Sequence, residues 1–298
     1  MRNHQRSFQF PASSFQLLMV GFFLSFTLTG CSVDYAGERL FWKAQQLYVP
    51  LVKNAQTATP DQYANTFRAF EAVVKKTPGT IWAPRAHLAI GTLYVLQKQY
   101  SQARQAYALV LQNYNQYKEL CLNARVGIAK TYEVEQHWPE AANAYREIAE
   151  YHPWSPVGLQ APLSIARLAE QGKVTEPAAQ AYQRAAQTYI KLLVDAPNPE
   201  LATQVKSALV LAYQRLGEWE QAVELLQELA DIQTGTNRPL VLMTLGAIYQ
   251  AKLRNTGKAQ AAYTKLAAEF PDHPFGKAAQ AQLNQLGATA VVPAPAAP

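Results

Sequence analysis

Apolar and polar positions follow a helical rhythm along most of this chain. Between Pro60 and Leu286 apolar residues recur three and four apart, the spacing that lines one face of an α-helix. The rhythm itself repeats. A small residue followed four positions later by a large ring or aliphatic appears at Thr66–Phe70, Ala103–Tyr107, Ala141–Tyr145, Ala178–Tyr182, Ala222–Leu226 and Ala259–Tyr263. The second members lie 37, 38, 37, 44 and 37 residues apart. Upstream of the pairs runs a second phrase, an aliphatic, a small residue, two of any kind and a Tyr. It reads Ile90-Gly91-x-x-Tyr94 and Leu245-Gly246-x-x-Tyr249, with Ile128-Ala129-x-x-Tyr132 and Leu209-Val210-x-x-Tyr213 close to it. Ile165-Ala166-x-x-Ala169 keeps only the outline. Pro78, Pro153 and Pro271 stand eight residues after the aromatics of the first, third and sixth units, where a residue unable to continue a helix separates one unit from the next.

The first thirty residues are patterned differently. Arg2 and Arg6 precede a mainly apolar stretch of 14 residues, Phe15–Leu28. A membrane-crossing helix needs roughly 20, so the run reads as the apolar region of an export signal. It ends in Leu28-Thr29-Gly30-Cys31, which resembles the lipobox of bacterial lipoproteins. The resemblance implies cleavage between Gly30 and Cys31, a diacylglyceryl thioether on Cys31, and acylation of the new amine. Two or three acyl chains hold a protein to a bilayer durably, at about 0.8 kcal/mol per buried CH₂. An ordinary signal peptide with a chance cysteine is the alternative. Ser32 rather than Asp follows the cysteine, which in lipoproteins favours the outer membrane, facing the periplasm.

Composition narrows the remaining possibilities. With 49% hydrophobic residues the chain is not disordered, and two cysteines exclude a disulfide scaffold. The net charge of +6 falls by two when residues 1–30 are removed. So small an excess, on an exported chain, argues against nucleic acid as a partner. Cys121 reads as a small buried apolar residue.

Motifs of catalysis are missing from the sequence. His4, His87, His137, His152 and His273 form no His-x-x-x-His or Glu-x-x-His pair, so no metal site is expected, and the histidines read as cap and loop residues. The Gly-Lys pairs at 172, 257 and 276 lack the glycine pattern of a phosphate loop. Glu218, Glu220, Glu224 and Glu228 read as a solvated helix stripe. No cofactor is expected. The tryptophans read mostly as packing, with Trp82 and Trp154, just after unit-closing prolines, as candidates for exposed contact.

The repeated phrases resemble the tetratricopeptide repeat, a helix–turn–helix unit. The resemblance implies an all-α fold, a right-handed superhelical solenoid of about six units. The expected organisation is a signal peptide at 1–30, then a lipidated N-terminus, first helix and linker at 31–59. The solenoid with its capping helix (Phe275–Leu286) occupies 60–286, and an Ala/Pro-rich tail 287–298. The opening helix is expected at Ala36–Val49, with an insertion around Pro50–Pro60. Phe270-Pro271-Asp272-His273-Pro274, followed by Lys277-Ala278-Ala279, is similar to unit junctions in the outer-membrane assembly lipoprotein BamD and in the periplasmic cell-division coordinators.

By resemblance to grooves of this repeat family, first-helix residues off the packing stripe are the candidate contacts: Arg85, Leu88, Thr92, Asn123, Val126, Lys130, Gln204, Ser207 and Leu211. The expected function is that of a non-enzymatic, lipid-anchored periplasmic scaffold. It would hold envelope proteins, a peptide segment or a β-barrel assembly component, in a concave groove. A pilus- or secretion-associated lipoprotein and a peptidoglycan-acting enzyme are the alternatives.

Overall fold

Helix ends in this protein are written in local chemistry. Thr59 and Gln62 form a reciprocal capping box: the Gln62 amide N–H donates to Thr59 Oγ1 and the Thr59 N–H donates to Gln62 Oε1. Ser155, Asn198 and Asn255 each accept from the backbone N–H three residues on, at 2.9–3.0 Å. The computed structural model describes residues 13–232 and 237–290, with side chains from Val33 onward and up to Gly287. Gly30, Cys31 and the tail from Val291 lie outside the described side chains.

Among the described residues, thirteen helices and no strand make up the fold. They are α1 (Ser13–Lys53), α2 (Pro60–Lys76), α3 (Trp82–Leu96), α4 (Tyr100–Asn113), α5 (Lys118–Val134), α6 (Trp138–Tyr151) and α7 (Pro156–Glu170). Then come α8 (Ala178–Val194), α9 (Pro199–Leu216), α10 (Trp219–Ile232), α11 (Arg238–Ala251), α12 (Thr256–Glu269) and α13 (Pro274–Ala290). Successive helices pair through short connections. They gather into two compact units, Met1–Gln136 and His137–Pro298. The first holds α1–α5 and the second α6–α13, so the division falls between the two helices of the third sequence repeat.

The turns that follow α3, α5, α7, α9 and α11 each have one residue in left-handed backbone. These are Lys98, Gln136, Gly172, Gly217 and Arg254, with φ between 49° and 78°. Glycine takes this conformation without steric cost, and the other three residues do so at a cost. The residue opening the second helix is often a ring. Trp138 lies under the Lys173 ammonium at 3.8 Å, and Trp219 under that of Lys252 at 5.0 Å. Each thus links its own turn to the turn of the next repeat in the same unit.

The repeated small–large pairs are the core. Thr66, Phe70, Ala103, Ala222, Ala259 and Tyr263 are all essentially inaccessible. Tyr107 packs against Gly91 and Gly127, and Tyr263 against Gly246, so closely that no β-carbon fits on these glycines. The tyrosine hydroxyls turn to polar groups on the paired helix: Tyr182 donates to Glu170 (2.8 Å) and Tyr263 to Gln250 (2.9 Å). Tyr145 and Ala178 depart from the pattern, each being only half-buried, Ala178 because it is the first residue of α8. Cys121 is buried as expected, its thiol 3.5 Å from the Tyr114 carbonyl and its pKa pushed up by burial.

Several expectations need correction. Helix α1 passes through Pro50 instead of stopping before it. The Asn54 backbone N–H and side-chain amide both donate to the Pro50 carbonyl and close the end. Helix α13 continues through Ala290, because no proline interrupts the sequence before Pro293. Trp82 and Trp154 are packed rather than presented. Trp82 lies 5.3 Å from Phe41, and Trp154 rests on the core around Tyr182 and Tyr189. His87 is neither a cap nor a loop residue. It is buried within α3, its ring 5.9 Å from Tyr114, and burial lowers its pKa.

Candidate protein-docking surface

In the first unit the predicted contacts fall on two neighbouring first helices, α3 and α5, which pack on each other. Arg85 is half-buried with its guanidinium 4.8 Å from the centre of the Trp82 ring. Leu88 packs against the core around Tyr107. The Thr92 hydroxyl donates to the Leu88 carbonyl (3.0 Å) and lies 3.4 Å from the Tyr107 hydroxyl. Leu88 and Thr92 therefore hold the repeat together. On α5, Asn123 and Lys130 are exposed and Val126 is half-buried, which leaves Lys130 as the accessible cation of this set.

In the second unit Gln204, Ser207 and Leu211 are exposed along one face of α9. Ser207 and Leu211 border a hollow of about 370 Å³, whose opposite wall is α11. Leu226 and Leu229 of α10 form its floor, and Leu240 and Thr244 of α11 its far side. None of the residues lining it is charged. First helices pack on one another at α7/α9 and at α11/α13, and no comparable packing joins α9 to α11. The gap leaves Leu211 39% and Leu240 53% exposed. Two large, partly exposed apolar side chains thus line one uncharged slot, an arrangement suited to the apolar side of a helix or extended peptide. Leu240 was missed in sequence because Leu240–Met243 is continuously apolar, and a short run of that kind does not say which member faces outward.

Ion pairs border these helices. Arg238 holds Glu269 through two contacts, at 2.6 and 3.0 Å, which lowers the carboxyl pKa. Lys206 meets Glu228 at 2.6 Å and Arg215 meets Glu170 at 2.9 Å. Of the expected acidic stripe, Glu220, Glu224 and Glu228 are exposed, and Glu228 is also paired with Lys206. Among the described residues no group of three or more His, Cys, Asp or Glu side chains is placed to hold a metal ion.

Profiles of the tetratricopeptide repeat match residues 85–116, 127–191, 208–232 and 240–273. The chain is a tetratricopeptide-repeat protein. No curated protein matches it in sequence. Among solved structures this repeat protein is similar to PilW, described as a widely conserved type IV pilus biogenesis factor. The identity is 16% and the TM-score 0.41, over 80% of this chain and 97% of that one. It is also similar to Pseudomonas aeruginosa pilF, at 12% identity and TM-score 0.40, over 83% of this chain and 99% of that one. The apo form of RapI matches at 14% identity and TM-score 0.48, over 86% of this chain and 81% of that one. Arrays of this repeat serve protein–protein contact.

Proposed function

We propose that the protein is a lipid-anchored scaffold facing the periplasm, which holds partner proteins during cell-envelope assembly, outer-membrane protein assembly in particular. The observation that carries the scaffold reading is the slot between α9 and α11, with Leu211 and Leu240 exposed on its rims. Burying two leucines favours a partner segment that offers an apolar side chain to each rim. The anchor rests on Leu28-Thr29-Gly30-Cys31. Tethering keeps scaffold and partner in one thin layer, so the effective concentration is high and a weak slot is enough. In the first unit the exposed Lys130 favours an acidic group or a terminal carboxylate on the bound segment.

Crosslinking in intact cells, followed by mass spectrometry of the membrane fraction, tests the reading. A β-barrel assembly component joined to this chain is the expected product. A pilus secretin in its place would move the work to pilus assembly or secretion, and the absence of any envelope partner would overturn the scaffold. The Cys31→Ala variant should be released from membranes or stay unprocessed. Membrane association with normal processing in that variant would remove the lipid anchor from the account.

A further inference from the structure

Helix α1 carries an outward stripe that the core does not use. Its buried side is formed by Leu40, Phe41, Ala44, Tyr48 and Leu51. Directly opposite, at seven-residue intervals, stand Tyr35, Trp42 and Val49, exposed by 67%, 60% and 44%. Arg39 and Lys53 are exposed on or beside the same line and Lys43 is exposed about a quarter-turn from it, and none of them is in an ion pair among the described residues. Asp34 and Glu38, both exposed, border the opposite edge and leave the face with an excess of one positive charge. Residue 31 precedes Tyr35 by four and Trp42 by eleven, so by helical spacing its position belongs to the same line.

We propose that this face of α1 lies on an anionic lipid surface, with Tyr35 and Trp42 at headgroup depth and Arg39, Lys43 and Lys53 against lipid phosphates. Amphipathic rings favour the boundary between hydrocarbon and water. Exposed cations on the same face as apolar groups distinguish a helix that rests on a bilayer from one that crosses it. No helix among the described residues is long and apolar enough to cross a membrane. From residue 31 to Lys53 such a helix covers roughly 30 Å of surface. It would fix the orientation of the first unit, which a flexible lipid tether alone would leave free. The inference extends the reading of Cys31 as the anchor, yet its chemistry belongs to residues 35–53.

Trp42 is the first tryptophan in the chain and the only one in α1, so its fluorescence reports on the stripe. Full-length protein is purified from membranes and reconstituted in vesicles of three parts brominated phosphatidylcholine to one part phosphatidylglycerol. Trp42→Phe serves as the reference, with circular dichroism to confirm its fold. Wild-type emission should be quenched by the bromine, and Trp42→Phe should abolish most of that quenching. Omitting phosphatidylglycerol, or introducing Arg39→Glu with Lys43→Glu, should remove more than half of it. Equal quenching in wild type and Trp42→Phe overturns the proposal, and quenching that ignores lipid charge overturns the anionic assignment. A Trp42 untouched by bromine yet shielded from aqueous acrylamide means that protein covers the face, and equally overturns it. The intact mass of the same sample reads acylation at Cys31. An acylated protein with unquenched Trp42 leaves the anchor standing without the stripe, and a quenched Trp42 without acylation does the reverse.

Discussion

The ring of Tyr107 fills the place that a β-carbon on Gly91 would take. Its other edge meets Gly127, where a β-carbon would fall 2.7 Å from Cε2. One tyrosine thus spaces α4 from the first helices of two successive repeats. Gly91→Ala should destabilise the protein by about 1–3 kcal/mol through overpacking. Glycine to alanine in an open helical position has the opposite sign, with a gain of up to about 1 kcal/mol. Gly287, with nothing near its absent β-carbon, is the control. Thermal denaturation of Gly91→Ala and Gly287→Ala should move the midpoint in opposite directions, and Tyr107→Leu should relieve part of the Gly91→Ala loss.

The left-handed turns supply a second test. Lys98, Gln136 and Arg254 adopt a backbone that costs a residue with a β-carbon about 1–2 kcal/mol. Replacing Lys98 or Arg254 by Gly should raise stability by about 0.5–1 kcal/mol after the greater chain entropy of glycine is subtracted. Gly217→Ala should lower it by about 1 kcal/mol or more. Denaturant midpoints at unchanged slope would register each change.

Two buried groups predict pH dependence of opposite sense. Burial lowers the His87 pKa, so the unfolded chain takes up a proton first as pH falls. The stability tied to neutral His87 is complete above its unfolded value, about 6.5, and is lost as pH falls toward the lower folded value. Thermal midpoints at pH 7 and pH 5 should differ less in His87→Gln than in the wild type.

At the alkaline end, burial and the hydrogen bond to Glu170 raise Tyr182 to about 12. The unfolded phenol ionises near 10, so this contribution is present below about pH 10 and disappears as pH rises through 12. Tyr182→Phe should be less sensitive than the wild type across that window. Midpoints recorded from pH 9 to pH 12 would show the difference.

How much of this was legible in the sequence depends on how local the cause is. The spacing of Phe70, Tyr107, Tyr182 and Tyr263 revealed the repeat, because each ring packs against small residues at fixed offsets. The left-handed turns at Gly172 and Gly217 carry their glycine, whereas Lys98, Gln136 and Arg254 have no such marker and are imposed by the packing on either side. Trp82 and Trp154 follow prolines, as surface residues often do, yet tertiary contact draws both inward. The slot beside Leu211 arises from the distance between α9 and α11, a property of no single helix. Leu88 and Thr92 share the register of Arg85, and only the structure shows that Tyr107 engages them.

The central claim, that partners are gripped by the first-helix face of the second unit, is tested most directly by a photo-crosslinking residue placed at Leu240 in living cells. A discrete adduct with an envelope protein is expected, and Leu211→Glu on the same chain should abolish it. Leu211 is exposed enough that this change should leave thermal stability within about 0.5 kcal/mol. An adduct that persists in Leu211→Glu, or one formed equally from the exposed Gln187 of α8, would contradict the account.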